Sequence, residues 1–196
     1  SSDVCSSDLG VKFGTSGARG LAVEMTNQVC YTYTKGFLQY LEQSGELKKN
    51  GESVAIAGDL RPSTARIMAA VARAASDMGY VPLNCGHIPS PAVALYGIEN
   101  GCPSIMVTGS HIPSDRNGIK FNKCTGEILK YDEEQIREQI VKVDESIFFG
   151  EGFDLPEEDI DARLNYVNRY LRNFPEGCLQ GKKIRSEEHT SELQSP

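Results

Sequence analysis

The sequence predicts an α/β sandwich, and two observations lead to that prediction. First, short apolar runs of strand length alternate along the chain with longer segments of helical periodicity. Second, the run at residues 104–108 is apolar throughout its middle, which is typical of a strand buried on both faces. Strands that alternate with helices in this way favour a sheet covered by helices.

The first half of the chain shows the alternation most clearly. After a glycine-punctuated opening at 11–20, Phe37 and Leu41 lie one helical turn apart. Ser63 is the predicted N-cap of an alanine-rich helix, and Pro91 opens a further short helix. The predicted elements are a helix over 27–47, a strand over 53–57, a helix from 63 to about 79, a strand over 80–84 and a helix over 91–98.

In the second half, the strand at 104–108 leads into a loop at 109–118 and then a hairpin. The period of two places Ile119 and Phe121 on one face of its first strand, with Lys120 on the other. Ile136 and Ile140, one turn apart, predict an amphipathic helix. The predicted elements are hairpin strands over 119–122 and 127–129, a helix over 132–143, a linker over 151–160, a helix over 161–174 and the start of a strand at 181–184.

The two ends of the chain differ from its interior. Residues 1–9 and 185–196 are polar and rich in Ser and Glu. One reverse translation of residues 1–9 has a reverse complement that encodes R-S-E-E-H-T-S-E-L, which is the sequence of residues 185–193. Sequencing adaptor translated on both sides of a DNA fragment produces this relation. Both ends are therefore interpreted as adaptor-derived artefacts, with the natural sequence over 10–184.

Composition and charge exclude several classes of function. The net charge of −7 over 196 residues becomes −3 over 175 when the two ends, with five acids and one base, are set aside. A mildly acidic chain is a poor binder of nucleic-acid backbone. No apolar run has the length of a membrane span, and no signal peptide opens the sequence. The six cysteines form no CxxC pair, which predicts free thiols and a cytoplasmic location.

The densest cluster of polar side chains follows the apolar strand, in the sequence T-G-S-H-I-P-S-D-R-N-G-I-K over 108–120. Ligands gather beyond the carboxyl ends of strands in α/β sheets, and Ser110 lies there. His111, Arg116 and Lys120 follow within ten residues and can face negative charge. A serine among such groups suits a phosphate-bearing nucleophile. A surface turn capped by its own Ser and Asn side chains is the competing interpretation.

A hydrolase that pairs Ser110 with His111 is a distinct alternative. Adjacent side chains leave an extended backbone in opposite directions, so His111 is not expected to reach the Ser110 hydroxyl. The chain also contains no GxSxG nucleophile elbow.

Two more clusters contain arginine. F-G-T-S-G-A-R-G over 13–20 offers glycine turns whose N–H groups could converge on an anion, together with Arg19. A flexible N-terminal connection explains the same glycines. G-D-L-R-P-S-T over 58–64 directs Arg61 toward the edge that carries Ser110, whereas Ser63 is explained fully as a helix cap. A local ion pair between Asp59 and Arg61 remains an alternative.

Together, in this order, the three clusters resemble the α-D-phosphohexomutase family, in its bacterial phosphomannomutase/phosphoglucomutase branch. Ser110 matches the serine of the family's T-A-S-H-N-P, although Gly109 replaces Ala and Ile112 replaces Asn. The glucosamine branch usually has Asp where Ser16 stands. The resemblance implies a three-layer α/β/α sandwich with a mixed, mostly parallel sheet. It also implies a first domain over 10–150, the linker, and the truncated start of a second domain over 161–184.

By the same resemblance, the protein interconverts hexose 1-phosphates and hexose 6-phosphates of mannose or glucose through a phosphoserine and a hexose 1,6-bisphosphate. Mg²⁺ would bind the phosphate of Ser110, and the bisphosphate would serve as activator. The resemblance assigns catalytic roles to Ser110, His111, Lys120 and Arg19. It assigns phosphate or substrate binding to Thr15, Ser16, Arg61, Arg116 and Asn117, and Asn117 with Gly118 also shapes the loop.

The family's metal loop, sugar-recognition loop and second phosphate-binding loop belong to later domains, so the chain alone is expected to be inactive. Its expected partner is a phosphorylated hexose, with neither nucleic acid nor membrane, and the sequence does not define an oligomeric state. Two alternatives remain open, a non-catalytic phosphosugar-binding module on the same fold and a phosphoglucosamine mutase.

Overall fold

A computed structural model describes residues 2–5, 11–14, 16–48, 51–149 and 152–183. The strands in these ranges are β1 (Ser2–Cys5), β2 (Lys12–Gly14), β3 (Gly17–Leu21), β4 (Ser53–Gly58), β5 (Val81–Asn84), β6 (Ser104–Val107), β7 (Arg116–Lys123), β8 (Gly126–Glu127) and β9 (Ile140–Val143). The helices are α1 (Asn27–Ser44), α2 (Thr64–Asp77), α3 (Ser90–Asn100), α4 (Lys130–Arg137) and α5 (Asp161–Asn173).

The main sheet is mixed, as predicted. Its strand order is β2-β3-β7-β6-β4-β5, and β8 pairs with β7. The prediction that it is mostly parallel is wrong, because only β4 pairs in parallel with its neighbours, β5 and β6. β7 returns antiparallel beside β6, and the opening glycine segment forms the hairpin β2-β3, which extends the sheet antiparallel from β7. The half of the sheet that contains β2, β3 and β7 is therefore antiparallel.

Helices cover both faces of the sheet, which confirms the three-layer sandwich. Alternate residues of β4 divide between the two cores: Val54 and Ile56 join the core that α1 and α2 cover, whereas Ala55 and Ala57 join the core that α3 covers. This is the period-two alternation of a strand buried on both sides. Alanines on the α3 side let that helix lie close to the sheet.

The predicted hairpin of 119–129 forms, but its first strand begins three residues earlier than expected, at Arg116. Ile119 and Phe121 are completely buried and Lys120 is half-buried, which confirms the predicted faces. Residues 116–118, predicted as loop, instead pair with β3.

The predicted helix over 132–143 is wrong in its second half. α4 ends at Arg137, and 140–143 form β9, in which Val141 and Val143 are buried whereas Ile140 is 63% exposed. The sequence I-V-K-V combines β-branched residues with a period of two, and this favours a strand over another helical turn. β9 pairs with β1, so that Ser2 lies opposite Val143.

The last described segment begins with α5, whose Ala162 and Tyr166 join the core beside α3. Residues 181–183 form no strand, in contrast to the prediction, and Ile184 lies outside the described residues. The domain boundaries and the adaptor origin of both ends stay predictions. Among the helices of the described ranges, none has the length and apolar character needed to cross a bilayer.

Candidate active site

Three neighbouring strands place three cationic side chains on one face of the sheet edge. Lys12 on β2 lies opposite Arg19 on β3, Arg19 lies opposite Gly118 on β7, and Gly17 lies opposite Lys120. Residues directly opposite one another share a face of the sheet, and so do residues two apart on a strand. Lys12, Arg19 and Lys120 accordingly line one cavity of about 270 Å³, together with Thr108 at the end of β6.

Glycines form the floor of this cavity because the strands approach too closely for side chains. A Cβ atom on Gly17 would lie 1.8 Å from the carbonyl oxygen of Ile119, and one on Gly118 would lie 2.8 Å from that of Ala18. Gly17 of the 13–20 cluster therefore serves strand packing. The segment forms the β2-β3 hairpin, so its interpretation as a flexible connection is wrong. The cavity that results has cations on its walls and backbone on its floor, which suits an anion.

The β2-β3 hairpin turn, which contains Ser16, is held by a hydrogen bond to the buried side chain of Glu133. Ser16 has a left-handed backbone with φ 74°, and its N–H donates to Oε1 of Glu133 at 2.9 Å. Glu133, on α4, is 6% exposed. This N–H is therefore not free to bind an anion, which corrects the predicted nest for Ser16. Thr15, predicted to bind phosphate or substrate, lies outside the described residues.

Ser110 is exposed at the end of β6, where the predicted nucleophile should lie. Its backbone is left-handed, with φ 56°, which is uncommon for a non-glycine residue. This conformation turns the next side chain back toward the serine, and Oγ of Ser110 lies 3.3 Å from Nδ1 of His111. The prediction that His111 does not reach the hydroxyl is wrong, because it assumed an extended backbone.

The contact does not restore a hydrolase triad. No carboxylate in the described ranges is hydrogen-bonded to His111, whereas a triad needs a third group that orients the base. His111 is exposed and can instead approach a phosphate carried by Ser110.

Asp59 organises the backbone around Ser110. Its Oδ2 accepts from Oγ1 of Thr108 at 2.9 Å and from the Gly109 N–H at 3.2 Å, and Thr108 Oγ1 in turn accepts from the Ser110 N–H at 2.9 Å. Burial alone would raise the pKa of Asp59. Hydrogen bonds from Thr64, Arg61, Thr108 and Gly109 outweigh this and hold the pKa below its ordinary value.

Arg61 does not bind phosphate in this arrangement, in contrast to the prediction. Its Nε donates to Oδ2 of Asp59 at 3.0 Å, so the ion pair left open by the sequence is present. Its four remaining N–H groups face main-chain oxygens of the serine loop. These acceptors are the carbonyls of Ser110 (3.2 Å), Ile112 (2.7 Å), Pro113 (2.7 Å) and Arg116 (3.2 Å).

Two other predicted residues have structural contacts. Asn117 is completely buried and donates to the hydroxyls of Ser63 and Thr64 at 2.9 and 3.1 Å, so its predicted contact with substrate is wrong. Ser63 occupies the N-cap position of α2, but its hydroxyl makes no capping bond and accepts from Asn117 instead. Arg116 is exposed at the start of β7, and its role as a binding residue stays a prediction.

Sequence reasoning missed Lys12, Glu133 and the role of Thr108. The hairpin register that sets Lys12 opposite Arg19 was the available signal, once the glycines are interpreted as a tight turn between strands. Glu133 gave no local signal, because it comes from an element 117 residues away from Ser16. The buried thiols offer no competing nucleophile, since burial raises the pKa of both Cys30 and Cys85 to about 12.

A family model described as "Phosphoglucomutase/phosphomannomutase, alpha/beta/alpha domain I" matches residues 10–146. The chain belongs to the phosphoglucomutase/phosphomannomutase family. A phosphomannomutase of Sinorhizobium fredii is 41% identical over 188 residues, covering 93% of this chain and 39% of the relative. One of Salmonella muenchen is 42% identical over 182 residues, covering 93% and 36%.

More distant members of the phosphoglucomutase/phosphomannomutase family also match. A phosphoglucosamine mutase of Clostridium beijerinckii is 30% identical over 186 residues, covering 90% of this chain and 39% of the relative. A solved structure of a phosphoglucomutase/phosphomannomutase family protein from Burkholderia thailandensis superposes with a TM-score of 0.64 at 22% identity, covering 87% and 36%, and shows the same fold. The chain thus spans between 36% and 39% of the length of these relatives.

Proposed function

We propose that the chain is the phosphoserine domain of a phosphohexomutase that interconverts hexose 1-phosphate and hexose 6-phosphate, with mannose or glucose as the sugar. The proposal is supported most directly by Ser110, which is exposed and left-handed and lies two residues after Thr108. Thr108 lines the cavity whose walls carry Lys12, Arg19 and Lys120. Phosphoryl transfer requires mainly charge neutralisation and alignment, and this arrangement offers both.

In the proposed reaction, phospho-Ser110 donates its phosphoryl group to a free hydroxyl of the sugar phosphate. The bond between phosphorus and Oγ breaks as a bond to the sugar oxygen forms, and Lys120 assists removal of the hydroxyl proton. The resulting hexose 1,6-bisphosphate reorients in the site, and its other phosphoryl group is then transferred to Ser110. Arg19 and Lys120 balance charge in the cavity, and His111, 3.3 Å from Oγ, helps to position the phosphate.

Mg²⁺ would supply further neutralisation of the phosphate charge when bound. The described residues do not by themselves form a site for it, because no group of three or more His, Cys, Asp or Glu side chains lies together in those ranges. None of the proposed steps is routed through the metal. A phosphate oxygen on Ser110 is the one ligand that this chain is proposed to provide.

The identities favour a hexose over a hexosamine. The two phosphomannomutases are 41–42% identical to the chain, whereas the phosphoglucosamine mutase is 30% identical. Ser16 also stands where the resemblance expects Asp in the glucosamine branch. We propose mannose and glucose phosphates as substrates, an activating hexose 1,6-bisphosphate and a location in the cytoplasm. The chain alone is expected to be inactive.

The test follows the phosphate by intact mass. The complete enzyme is incubated with glucose 1,6-bisphosphate, and one phosphate is expected on the protein, lost in Ser110→Ala and retained in Ser114→Ala, a serine of the same loop. Conversion of mannose 1-phosphate should disappear in the first variant only. If the protein binds the sugar phosphate but is never phosphorylated, the proposal of a mutase is wrong and the protein is a non-catalytic binding module. Faster turnover of glucosamine 1-phosphate than of mannose 1-phosphate would overturn the proposed substrate.

A further inference from the structure

The serine loop is held from behind by one arginine. The guanidinium of Arg61 reaches the main chain of residues 110, 112, 113 and 116 with four N–H groups, while its fifth donates to Asp59. Its side chain is 14% exposed. We infer that Asp59 and Arg61 are positioning residues for Ser110, and that Gly109 is required because it leaves room for the guanidinium. The inference rests on the proposed function of Ser110.

All five N–H groups of Arg61 are already used, so it acts on the loop and not on a phosphate. Its acceptors are main-chain carbonyls, which do not depend on the side chains of the loop. This matters at Ile112, where the family motif has Asn. The Ile112 N–H donates to the Gly109 carbonyl at 3.2 Å, and its own carbonyl accepts from Arg61 at 2.7 Å. The loop is therefore closed here without an asparagine side chain.

Gly109 makes room for the Arg61 guanidinium behind the serine loop. A Cβ atom at this position would lie 2.4 Å from Cζ, 2.5 Å from Nε and 2.8 Å from Nη2 of Arg61. Arginine side chains usually move aside easily, but the planar guanidinium of Arg61 is fixed by five hydrogen bonds. An alanine, as in the family's T-A-S-H-N-P, would displace the guanidinium from Asp59 and from the loop. Gly109 and Arg61 are thus coupled in this chain.

Charge and shape can be separated at Arg61. Lysine keeps the positive charge beside Asp59 but has no planar fork, so it cannot hold four carbonyls. If Arg61 only supplied positive charge to a phosphate, lysine could replace it in large part. If Arg61 holds the loop through four carbonyls, lysine cannot replace it. Arg66 supplies the matched control, since it also donates to main-chain carbonyls, those of Ala22 and Met25, but on a different segment.

The experiment compares Arg61→Lys, Gly109→Ala, the double variant and Arg66→Lys. In the 196-residue chain, amide hydrogen exchange of residues 109–116 is expected to quicken about tenfold in the first two variants and to stay unchanged in Arg66→Lys. In the complete enzyme, the rate of Ser110 phosphorylation by glucose 1,6-bisphosphate should fall about tenfold, with KM changed less than about twofold. The double variant should be no worse than either single variant, because both remove the same contact.

Two results would overturn the inference. One is a double variant whose loss is the product of the two single losses, which would show that Gly109 and Arg61 act separately. The other is full activity in Arg61→Lys, or a loss confined to KM, which would make Arg61 a charge for the phosphate. Thermal unfolding of each variant, compared with Arg66→Lys, excludes global destabilisation as the cause. The exchange measurement does not depend on phosphorylation, so failure of the mutase proposal would be seen separately, in Ser110→Ala.

Discussion

Replacing Asp59 by asparagine tests the network behind the serine loop most directly. The carboxylate accepts five hydrogen bonds. Oδ1 accepts two, from the Arg61 N–H at 3.0 Å and from the Thr64 hydroxyl at 2.6 Å. Oδ2 accepts three, from Arg61 Nε, Thr108 and the Gly109 N–H at 3.0, 2.9 and 3.2 Å. Asparagine keeps the shape of the side chain but has only one oxygen.

The expected loss of stability follows from these contacts. The best orientation of the amide keeps its oxygen at the Oδ2 position and turns its NH₂ toward the Arg61 N–H. The Thr64 hydroxyl can rotate to accept, but the buried N–H cannot, and its lost bond costs about 1–3 kcal/mol. The three remaining bonds weaken because the acceptor is neutral, and Arg61 loses its ion pair. The total is about 3 kcal/mol in the free energy of unfolding.

Urea unfolding of the 196-residue chain measures this difference, and pH identifies its source. The pKa of Asp59 is lower in the folded chain than in the unfolded chain. Its contribution is therefore present above about pH 4, the unfolded value, and is lost as the pH falls through the folded pKa. The difference between the parent chain and Asp59→Asn should be largest near neutral pH and shrink progressively below about pH 4.

The control is Glu158→Gln, which removes an ion pair with Arg163 whose side chains are 38% and 50% exposed. Exposed pairs contribute under about 1 kcal/mol, so this variant should change little at any pH. An Asp59→Asn variant as stable as Glu158→Gln, or one whose deficit is the same at about pH 3 and pH 7, would contradict the role of the Asp59 carboxylate in this network. The first result would mean that the loop contributes nothing to folding, and the second that the charge of Asp59 is irrelevant.

Two further predictions concern the cavity. Gly17→Ala should destabilise the chain by about 3 kcal/mol or more in urea, because its Cβ would lie 1.8 Å from a backbone oxygen of β7, whereas in Gly14→Ala the nearest atom is 3.8 Å away and little should change. Lys12→Gln should raise the KM for a hexose phosphate about fivefold at low salt and less at high salt. Lys48 is an exposed lysine outside the cavity, so Lys48→Gln should leave the KM unchanged. Equal effects within either pair of variants would contradict the cavity as described.

The period of two and the helix signals located most elements correctly, because those patterns depend on neighbours in sequence. The strand 104–108, the two faces of 119–121 and the end of α2 near Gly79 are examples. The direction of pairing was not predictable in this way. β7 and the β2-β3 hairpin join the sheet antiparallel, and only contacts distant in sequence decide that. The same holds for I-V-K-V at 140–143, where a partner strand favours β structure over the helix that precedes it.

The candidate site divides in the same manner. Ser110 lies where its motif and the carboxyl edge of β6 predict, whereas its left-handed backbone follows from the loop as a whole. For Arg61 the sequence left a phosphate contact and an ion pair with Asp59 open. Both need the same side chain, and its actual role as a donor to the loop depends on carbonyls from residues 110–116 that the sequence does not bring within its reach. Asn117 was misassigned for a related reason, since β7 begins one residue before it and buries its amide.

The net charge of the chain is a poor guide to what the cavity beside Thr108 can bind, because the chain's cations differ in whether they are already paired. Arg61 is paired with Asp59 at 3.0 Å, so the pair adds little net charge to the loop. A phosphate on Ser110 would instead meet the field of Lys12, Arg19 and Lys120, whose strands hold them at one edge regardless of the −7 carried by the whole chain. The fold thus separates two tasks. Arg61, paired with Asp59 and half-buried, holds the serine loop, while the cations that face the cavity remain available for an anion.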